Sequence, residues 1–350
     1  MAKKSKNTKI SKSISNKVEK SLSYLTNPRI KEIIERRFGL RDGQFETLES
    51  IGQSHGITRE RVRQIQSSGL KILKSDKVLS LFDPIYKQIN DLFKEHGHIV
   101  GEEHLYKEVT GIDEPHPRRG ELYLLLTLGD PYERIVNDPK FHTHWQAHPK
   151  ARTEAEKVAK TLISHFEKQG NPYKEQEVLN VLSKKHSGLP RKLFFVVLDI
   201  SKHVDKNAFG EVGLSHWPEV SPQGIKDKAY LVLKKEGKPL HFREITDLIN
   251  KTGISKRPAY VQTVHNELIK DPRFVLTGRG TYALIDWGYQ PGTVEEVIEK
   301  ILQENKKPLT KEEIIERVLE QRQVQPTTII LNLQRSPKAQ KLDDGRYTLA

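Results

Sequence analysis

Cysteine is absent from the 350-residue sequence. Disulfide bonds and metal sites built from thiolates are therefore excluded, and the absence is compatible with a reducing cytoplasm, where we expect the protein to act. No apolar run approaches the roughly 20 residues of a membrane-spanning helix, and the basic N-terminus lacks the apolar segment of a signal peptide. We therefore expect no membrane partner.

Motifs that carry enzymatic chemistry are also missing. The sequence has no glycine-rich loop that could cradle a phosphate, no GxSxG nucleophile elbow and no HExxH motif. Carboxylates are plentiful, but they stand in contexts typical of helix surfaces, such as Lys311-Glu312-Glu313. We therefore expect a protein that is not an enzyme and that needs no cofactor.

Histidines are frequent between residues 96 and 148, and three imidazoles could ligate zinc. The histidines of this segment are His96, His98, His104, His116, His142, His144 and His148. No cysteine or carboxylate-rich pattern accompanies them, and the segment already has a structural interpretation given below. The expectation is that this protein holds no metal.

Basic residues outnumber acidic ones, with 59 Lys and Arg against 46 Asp and Glu and a formal net charge of +13. Such an excess favours a polyanionic partner, most simply nucleic acid. The lysine-rich residues 1–12 are predicted to form a disordered arm, which serves either solubility or a loose phosphate contact.

The segment 47–73 has the pattern of a helix-turn-helix. Thr47 is a suitable N-cap for the first helix, Gly56 supplies the turn, and Thr58 caps the second helix. The buried stripe of the second helix is predicted to be Val62, Ile65, Gly69 and Ile72. Its opposite face carries Arg59, Glu60, Arg63, Gln64, Ser67 and Lys71. Because the N-terminal part of such a helix reaches base edges, this face predicts a DNA-reading surface; the alternative is a charged, solvated helix that binds nothing.

The sequence ITRERVRQI at 57–65, preceded by RFGL at 37–40 and TLESIG at 47–52, resembles region four of housekeeping-type bacterial sigma factors. The resemblance covers about residues 13–77. That region reads the minus-thirty-five promoter element and contacts the flap of the RNA polymerase β subunit. The resemblance implies base contacts by Arg59, Glu60 and Gln64 and positions near the phosphates for Arg61 and Arg63. We also expect phosphate contacts from Thr47 and Lys71. The departure from the common TLEEIG, at Ser50, does not touch the reading face.

A complete sigma factor is not expected. The aromatic-rich segment that melts promoters and the main clamp-binding helices would precede region four, and few residues do so here.

The remainder of the chain has an internal repeat. The three tryptophans, Trp145, Trp217 and Trp287, are spaced about 70 residues apart, which indicates a domain array. We predict four winged-helix units, which cover residues 84–150, 153–220, 223–290 and 293–350. Each tryptophan is expected to pack its wing onto its own core rather than to stack on bases.

The third unit has the clearest pattern, with helices predicted at 225–235, 242–250 and 259–269 and a hairpin at 274–287. The fourth unit repeats this order, with helices at 294–304 and 326–334. GKPLHFREI at 237–245 and DPRFVLTGRGTYALIDWGY at 271–289 resemble the HARE-HTH winged-helix family. That family includes the N-terminal domain of the RNA polymerase delta subunit and domains of restriction and chromatin proteins, so both DNA and polymerase stay open as partners. Arg279, at the wing tip, is expected either to contact a phosphate or merely to keep the hairpin soluble.

These observations predict a mainly α-helical chain with small β-hairpin wings. We expect a sigma-factor-like transcription protein that binds double-stranded DNA sequence-specifically and engages RNA polymerase through the β flap or the core enzyme. Two alternatives remain open: a delta-like polymerase accessory subunit that acts by protein contact, and a DNA-targeting component of a restriction or defence system.

Overall fold

The structure is a computed structural model that describes residues 2–255, 257–305 and 307–350, with side chains from residue 12 onward. It is mainly helical with small antiparallel sheets, which confirms the predicted fold class. The chain divides into two compact units, residues 1–205 and 206–350. Within the described residues, no helix has both the length and the apolar character needed to span a membrane.

The first compact unit begins with helices that surround the predicted helix-turn-helix. They are α1 (Ala2–Leu22), α2 (Pro28–Arg37), α3 (Leu48–His55), α4 (Arg59–Leu73) and the short α5 (Asp76–Leu79), which a 3-10 turn joins to α6 (Asp83–Glu95). Helix α1 covers residues 2–12, which we expected to be a disordered arm. Neither glycine nor proline occurs between Ala2 and Leu22, so no residue type that ends a helix interrupts it.

The elements that follow, up to residue 150, have the order of a winged helix. After α6 come β1 (Ile99–Gly101), α7 (Glu102–Thr110), α8 (Pro117–Leu128), β2 (Glu133–Ile135) and β3 (His144–Gln146). The three strands form an antiparallel sheet in the order β1-β3-β2, with Trp145 opposite Val100 on one side and Arg134 on the other. The central strand thus carries the tryptophan inward, where it is buried.

One hydrophobic core joins the first winged helix to the helices before it. Ile14 and Val18 of α1 and Phe38 after α2 belong to the same buried cluster as Leu125 of α8 and Trp145. The contact is close: a Cβ at Gly120 in α8 would lie 2.0 Å from the Phe38 carbonyl oxygen. The segments 13–77 and 84–150, which we predicted as separate domains, therefore pack as one body.

The second predicted winged unit contributes three helices to this body. They are α9 (Ala151–Gln169), α10 (Glu175–Lys185) and α11 (Arg191–Ile200), with β4 (Tyr173–Lys174) before α10. Helix α11 packs against α9 and β1, and Lys192 forms an ion pair with Glu95 at the end of α6. The strands β5 (Val204–Lys206) and β6 (Glu211–Leu214) follow, and the division between the compact units falls within β5.

The second compact unit contains the third and fourth predicted winged helices. The third consists of α12 (Ile225–Glu236), β7 (Leu240–His241), α13 (Phe242–Lys251), α14 (Val261–Lys270), β8 (Phe274–Gly278) and β9 (Thr281–Leu284), with the sheet order β7-β9-β8. The fourth consists of α15 (Val294–Glu304), α16 (Lys311–Gln321), α17 (Pro326–Arg335), β10 (Ala339–Lys341) and β11 (Tyr347–Leu349). A single bridge between Leu309 and Tyr347 takes the place of the third strand in the fourth unit.

Two predicted boundaries of the third unit differ from the structure. Helix α14 begins at Val261 rather than Ala259, because the Ala259 amide donates to the Asn250 side chain at 2.7 Å and holds that residue outside the helix. The second wing strand ends at Leu284, and residues 285–287 form a 3-10 turn that Gly288 closes with φ 87°.

The spacing of the three tryptophans is only partly a repeat. Trp217 and Trp287 each lie three residues beyond the last wing strand of their unit, whereas Trp145 lies within a strand. Trp145 is 1% exposed, and its indole N–H donates to Glu102 Oε2 at 3.1 Å. Trp287 packs at the edge of the third unit's core. Trp145 and Trp287 therefore pack against hydrophobic cores.

Candidate nucleic-acid interface

The helix-turn-helix is built from the local signals that the sequence predicts. The Thr47 hydroxyl accepts from the Ser50 amide at 3.1 Å and caps α3, and the Thr58 hydroxyl accepts from the Arg61 amide at 3.2 Å and caps α4. Between them, Gly56 has φ 61° and ψ 33°, a left-handed conformation that glycine adopts without strain. The two caps and the turn fix where α4 begins.

A small core holds the two helices together. Ile33 of α2, Ile51 of α3 and Val62 of α4 are completely buried against one another. Further along α4, a Cβ at Gly69 would lie 2.7 Å from the Ile30 side chain, so glycine allows α2 and α4 to approach closely. The reading helix is therefore anchored along its whole length to α2.

One residue of the predicted buried stripe is wrong. Ile72 is 40% exposed, and Leu73 takes the buried position at the end of α4. Leu73 follows Gly69 by four residues and Val62 by eleven, which keeps it on one face of a helix with 3.6 residues per turn. Ile72 lies about one-quarter turn away from that face.

An ion pair that the sequence pattern did not predict clamps α3 to α2. Arg36 donates to the Glu46 carboxylate through Nε and through Nη2, each at 2.7 Å. Its third nitrogen, Nη1, donates to Ser54 Oγ at 2.8 Å. The Arg36 guanidinium lowers the pKa of the Glu46 carboxyl, so this pair stays charged near neutral pH. The clamp leaves no periodic signal, since its partners lie ten residues apart across a loop.

All side chains predicted to meet DNA on α4 lie exposed on the outer face. Those residues are Arg59, Glu60, Arg61, Arg63, Gln64 and Lys71. Thr47, at the start of α3, is exposed as well, although its hydroxyl oxygen already accepts the capping hydrogen bond. The structure thus brings these seven residues onto one helix-turn-helix, as the sequence predicts, while their contacts to DNA stay a prediction.

The reading face carries hydrogen bonds of its own. Arg63 donates to both oxygens of Glu60 at 2.7 and 2.8 Å, and Arg61 donates to the side-chain oxygen of Gln64 at 3.0 Å. Arg63 lowers the pKa of Glu60, which keeps the carboxylate ionised and able to accept from a cytosine amino group. The two arginines expected near phosphates therefore also orient two residues expected at base edges.

Arg59 differs from its neighbours. Among the side chains that the structure describes, none forms a hydrogen bond or an ion pair with its guanidinium. It occupies the first residue of α4, where an extended side chain projects beyond the helix end. An arginine in this position can meet a guanine with both nitrogens without first breaking an internal contact.

Arg279 belongs to the other compact unit and is described there by itself. It is exposed in the turn between β8 and β9. The edge of β8 is covered, because the Gln323 amide donates to the Thr277 carbonyl at 2.7 Å and Arg322 donates to the Leu276 carbonyl. Arg322, only 5% exposed, also donates to the Gln290 and Gly292 carbonyls and so ties the fourth winged unit to the third. The turn that carries Arg279 is therefore exposed, whereas residues of the fourth unit cover the edge of β8.

The third helices of the winged units differ in how much of their surface is exposed. Helix α8 is buried on most sides by α1, α7 and the turn after α2. Helix α11 packs on α9 and β1 with one face and leaves Arg191 and Phe195 exposed on the other. In the second compact unit, α14 exposes Val261 and Ile269 together with the preceding Tyr260, which is 73% exposed. That surface is apolar and carries little positive charge, unlike α4.

Two family models match this chain. Residues 27–75 match the model of sigma-70, region 4. Residues 225–287 match the HARE-HTH model, whose description names the ASXL and restriction endonuclease HTH domain. Both resemblances drawn from the motifs are thereby confirmed. The first match contains all seven predicted residues of the helix-turn-helix, and the second contains Arg279.

Curated relatives align over the sigma-like segment. RNA polymerase sigma factor sigB of Arabidopsis thaliana is 51% identical over 49 residues, which are 14% of this chain and 9% of the relative. SigA of Nostoc sp. is 46% identical over 57 residues, 16% of this chain and 14% of the relative. The principal sigma factor HrdD of Streptomyces coelicolor is 48% identical over 48 residues, 14% of each chain. The chain thus spans a small part of these relatives.

Proposed function

We propose that this protein is a DNA-binding transcription protein that reads a promoter-type element through α4. The observation that carries the proposal is the exposed face of α4, which presents arginine, glutamate and glutamine side chains on a capped helix held against α2 and α3. These residue types recognise guanine, cytosine and adenine in the major groove. The match of residues 27–75 to sigma-70 region 4 supports the same role.

RNA polymerase is the proposed protein partner. Support comes from the relatives named above, which are polymerase sigma factors, and the β flap is the proposed contact of the sigma-like segment. Action on chromosomal DNA would place the protein in the cytoplasm of a bacterial-type cell. We further propose that it acts by binding rather than by catalysis, since its two matched segments are helix-turn-helix domains.

A second candidate function is that of a polymerase accessory subunit. The specific observation in its favour is the packing of α8, which buries the third helix of the first winged unit, together with the apolar surface around Tyr260. In this role the winged units would contact protein, and α4 would contribute little. The restriction or defence role rests on the HARE-HTH family alone.

A capture experiment from native lysate, with and without nuclease, separates these functions. The promoter-reading function predicts that the tagged full chain recovers RNA polymerase and that the Arg59→Ala/Gln64→Ala double variant recovers less. The control is Lys87→Ala, which removes an exposed charge from α6 in the same compact unit. Recovery that is insensitive to nuclease and to the double variant would favour the accessory subunit. Recovery of a nuclease or methyltransferase instead of polymerase would favour the defence role.

A further inference from the structure

A histidine-rich cluster lies in the first winged helix, outside the small core that holds α4. His96 follows the last residue of α6, and His104 and Glu108 stand four residues apart on α7, hence on one face of that helix. The three side chains bring one ligand atom each within 4.8 Å of one another. His96 is buried, Glu108 is half-buried, and His104 is exposed.

The distances within the cluster are those of metal ligands. His96 Nε2 and His104 Nε2 lie 3.2 and 3.4 Å from the same oxygen, Glu108 Oε2. Ligands on a tetrahedral zinc ion are separated by about 3.3 Å, given bonds of roughly 2.0–2.1 Å. The two distances to Glu108 Oε2 therefore match two edges of a tetrahedron of ligand atoms. The third edge, between the two Nε2 atoms, needs only a modest movement of the exposed His104 side chain toward His96.

The hydrogen bond that His96 makes through Nδ1 leaves its Nε2 atom available to bind a metal ion. His96 Nδ1 lies 2.8 Å from the Leu92 carbonyl oxygen, and since a carbonyl only accepts, Nδ1 must carry the hydrogen. With that hydrogen on Nδ1, Nε2 is the nitrogen of His96 that faces Glu108 and that a metal ion would bind. A carbonyl that orients a histidine through its other nitrogen is the usual arrangement around a metal-bound imidazole.

The buried carboxylate oxygen of Glu108 is a further observation that points to a bound cation. Its Oε2 is buried and forms no hydrogen bond of ideal geometry within the described residues; the two imidazole nitrogens at 3.2 and 3.4 Å are its ion-pair partners. A lone pair facing an unbonded carboxylate oxygen calls for a cation or a proton between them. Lys192 stands nearby, but its charge is met by Glu95, and Asp199 adds negative charge beside His104.

We propose that His96, His104 and Glu108 form a three-ligand site for a divalent transition metal ion, with Zn²⁺ the first candidate. Two imidazoles and one carboxylate suit zinc, and the exposure of His104 leaves a fourth position open to water. The ion would join the end of α6 to α7. The proposal departs from the expectation that the protein holds no metal, and the carboxylate that the sequence pattern did not single out is Glu108.

Cobalt titration of the chelator-stripped full chain tests the site. Co²⁺ is the probe, since a tetrahedral site gives it intense visible absorption that octahedral, water-rich binding does not. We expect one equivalent of Co²⁺ to produce this absorption and Zn²⁺ to displace it. Zinc should also raise the midpoint of thermal unfolding.

Matched variants assign the ligands without disturbing the fold. His104→Ala removes an exposed side chain and Glu108→Gln keeps the shape of a half-buried one. Each should weaken Zn²⁺ binding by at least about 100-fold, since even residues that only hydrogen-bond to the ligands contribute about 10–100-fold. His203→Ala removes an exposed histidine outside the cluster and should bind as the parent does.

Two outcomes would overturn the proposal. One is the absence of tetrahedral cobalt absorption in the parent protein, which would mean that the cluster is an imidazolium–carboxylate ion pair. The other is an equal affinity of the parent, the two ligand variants and His203→Ala, which would mean that zinc binds adventitiously to surface histidines.

Discussion

Removal of the Arg59 side chain should reduce affinity for the preferred DNA site and leave the folded protein intact. No described side chain forms a hydrogen bond or an ion pair with the guanidinium, so Arg59→Ala removes neither from the folded protein. A bidentate arginine–guanine contact contributes about 1–3 kcal/mol of discrimination. At about 1.4 kcal/mol for each factor of ten, this corresponds to a loss of roughly 5- to 150-fold in specific affinity.

The assay is competition fluorescence anisotropy at one fixed salt concentration. The labelled duplex carries a site selected from a random pool, and the competitors are the same site and a scrambled duplex. Arg59→Ala should lose affinity for the selected site and keep its affinity for the scrambled one. Lys71→Ala should weaken both duplexes alike, since a phosphate contact carries no sequence information. Equal losses on both duplexes for Arg59→Ala would refute the assignment to a base edge.

Three further outcomes are expected from other parts of the chain. Residues 206–350 alone should bind duplex DNA weakly, with a Kd of about 10⁻⁴ to 10⁻⁶ M. Residues 1–205 should retain the affinity for the selected site. Tight, selective binding by residues 206–350 in a gel shift would contradict this. Arg322→Ala should destabilise residues 206–350 by about 1.5–3 kcal/mol in urea unfolding, because hydrogen bonds from a charged donor are lost; an unchanged midpoint would argue against that tie. The pKa of Glu46 is lowered in the folded protein by Arg36, so their pair stabilises above the unfolded pKa and its effect is lost as pH falls. Glu46→Gln should therefore unfold more easily than the parent at pH 7, with a difference that shrinks in acid, and a gap that stays constant with pH would count against the pair.

Local signals predicted the helix-turn-helix well. Thr47, Gly56 and Thr58 act through hydrogen bonds and backbone angles that involve near neighbours in the chain, so the sequence contains all the information they need. The wing of the third unit was found for the same reason, since its turn and alternating strands are local. The start of α14 moved because a partner outside the helix intervened: Asn250 holds Ala259 outside α14.

Long-range packing could not be predicted in the same way. The stripe of Ile14 and Val18 showed that α1 has a buried face, but periodicity does not say which element covers that face. The covering elements, α7 and α8, lie about a hundred residues later in the chain. Likewise, His96 and His104 were noticed, yet their carboxylate partner Glu108 looked like an ordinary helix-surface residue. The spacing of four residues between His104 and Glu108, which places both on one face if the segment is helical, was the signal available.

The inward packing of α8 means that this chain can have more winged-helix folds than contacts to DNA. A tandem array gains avidity when each module can occupy its own stretch of DNA at the same time. Here the third helix of the first winged unit is buried against α1 and α7, so that unit packs with the helices around the helix-turn-helix and presents no second reading helix. The length of DNA that the chain occupies should accordingly grow by less than one site for each winged unit.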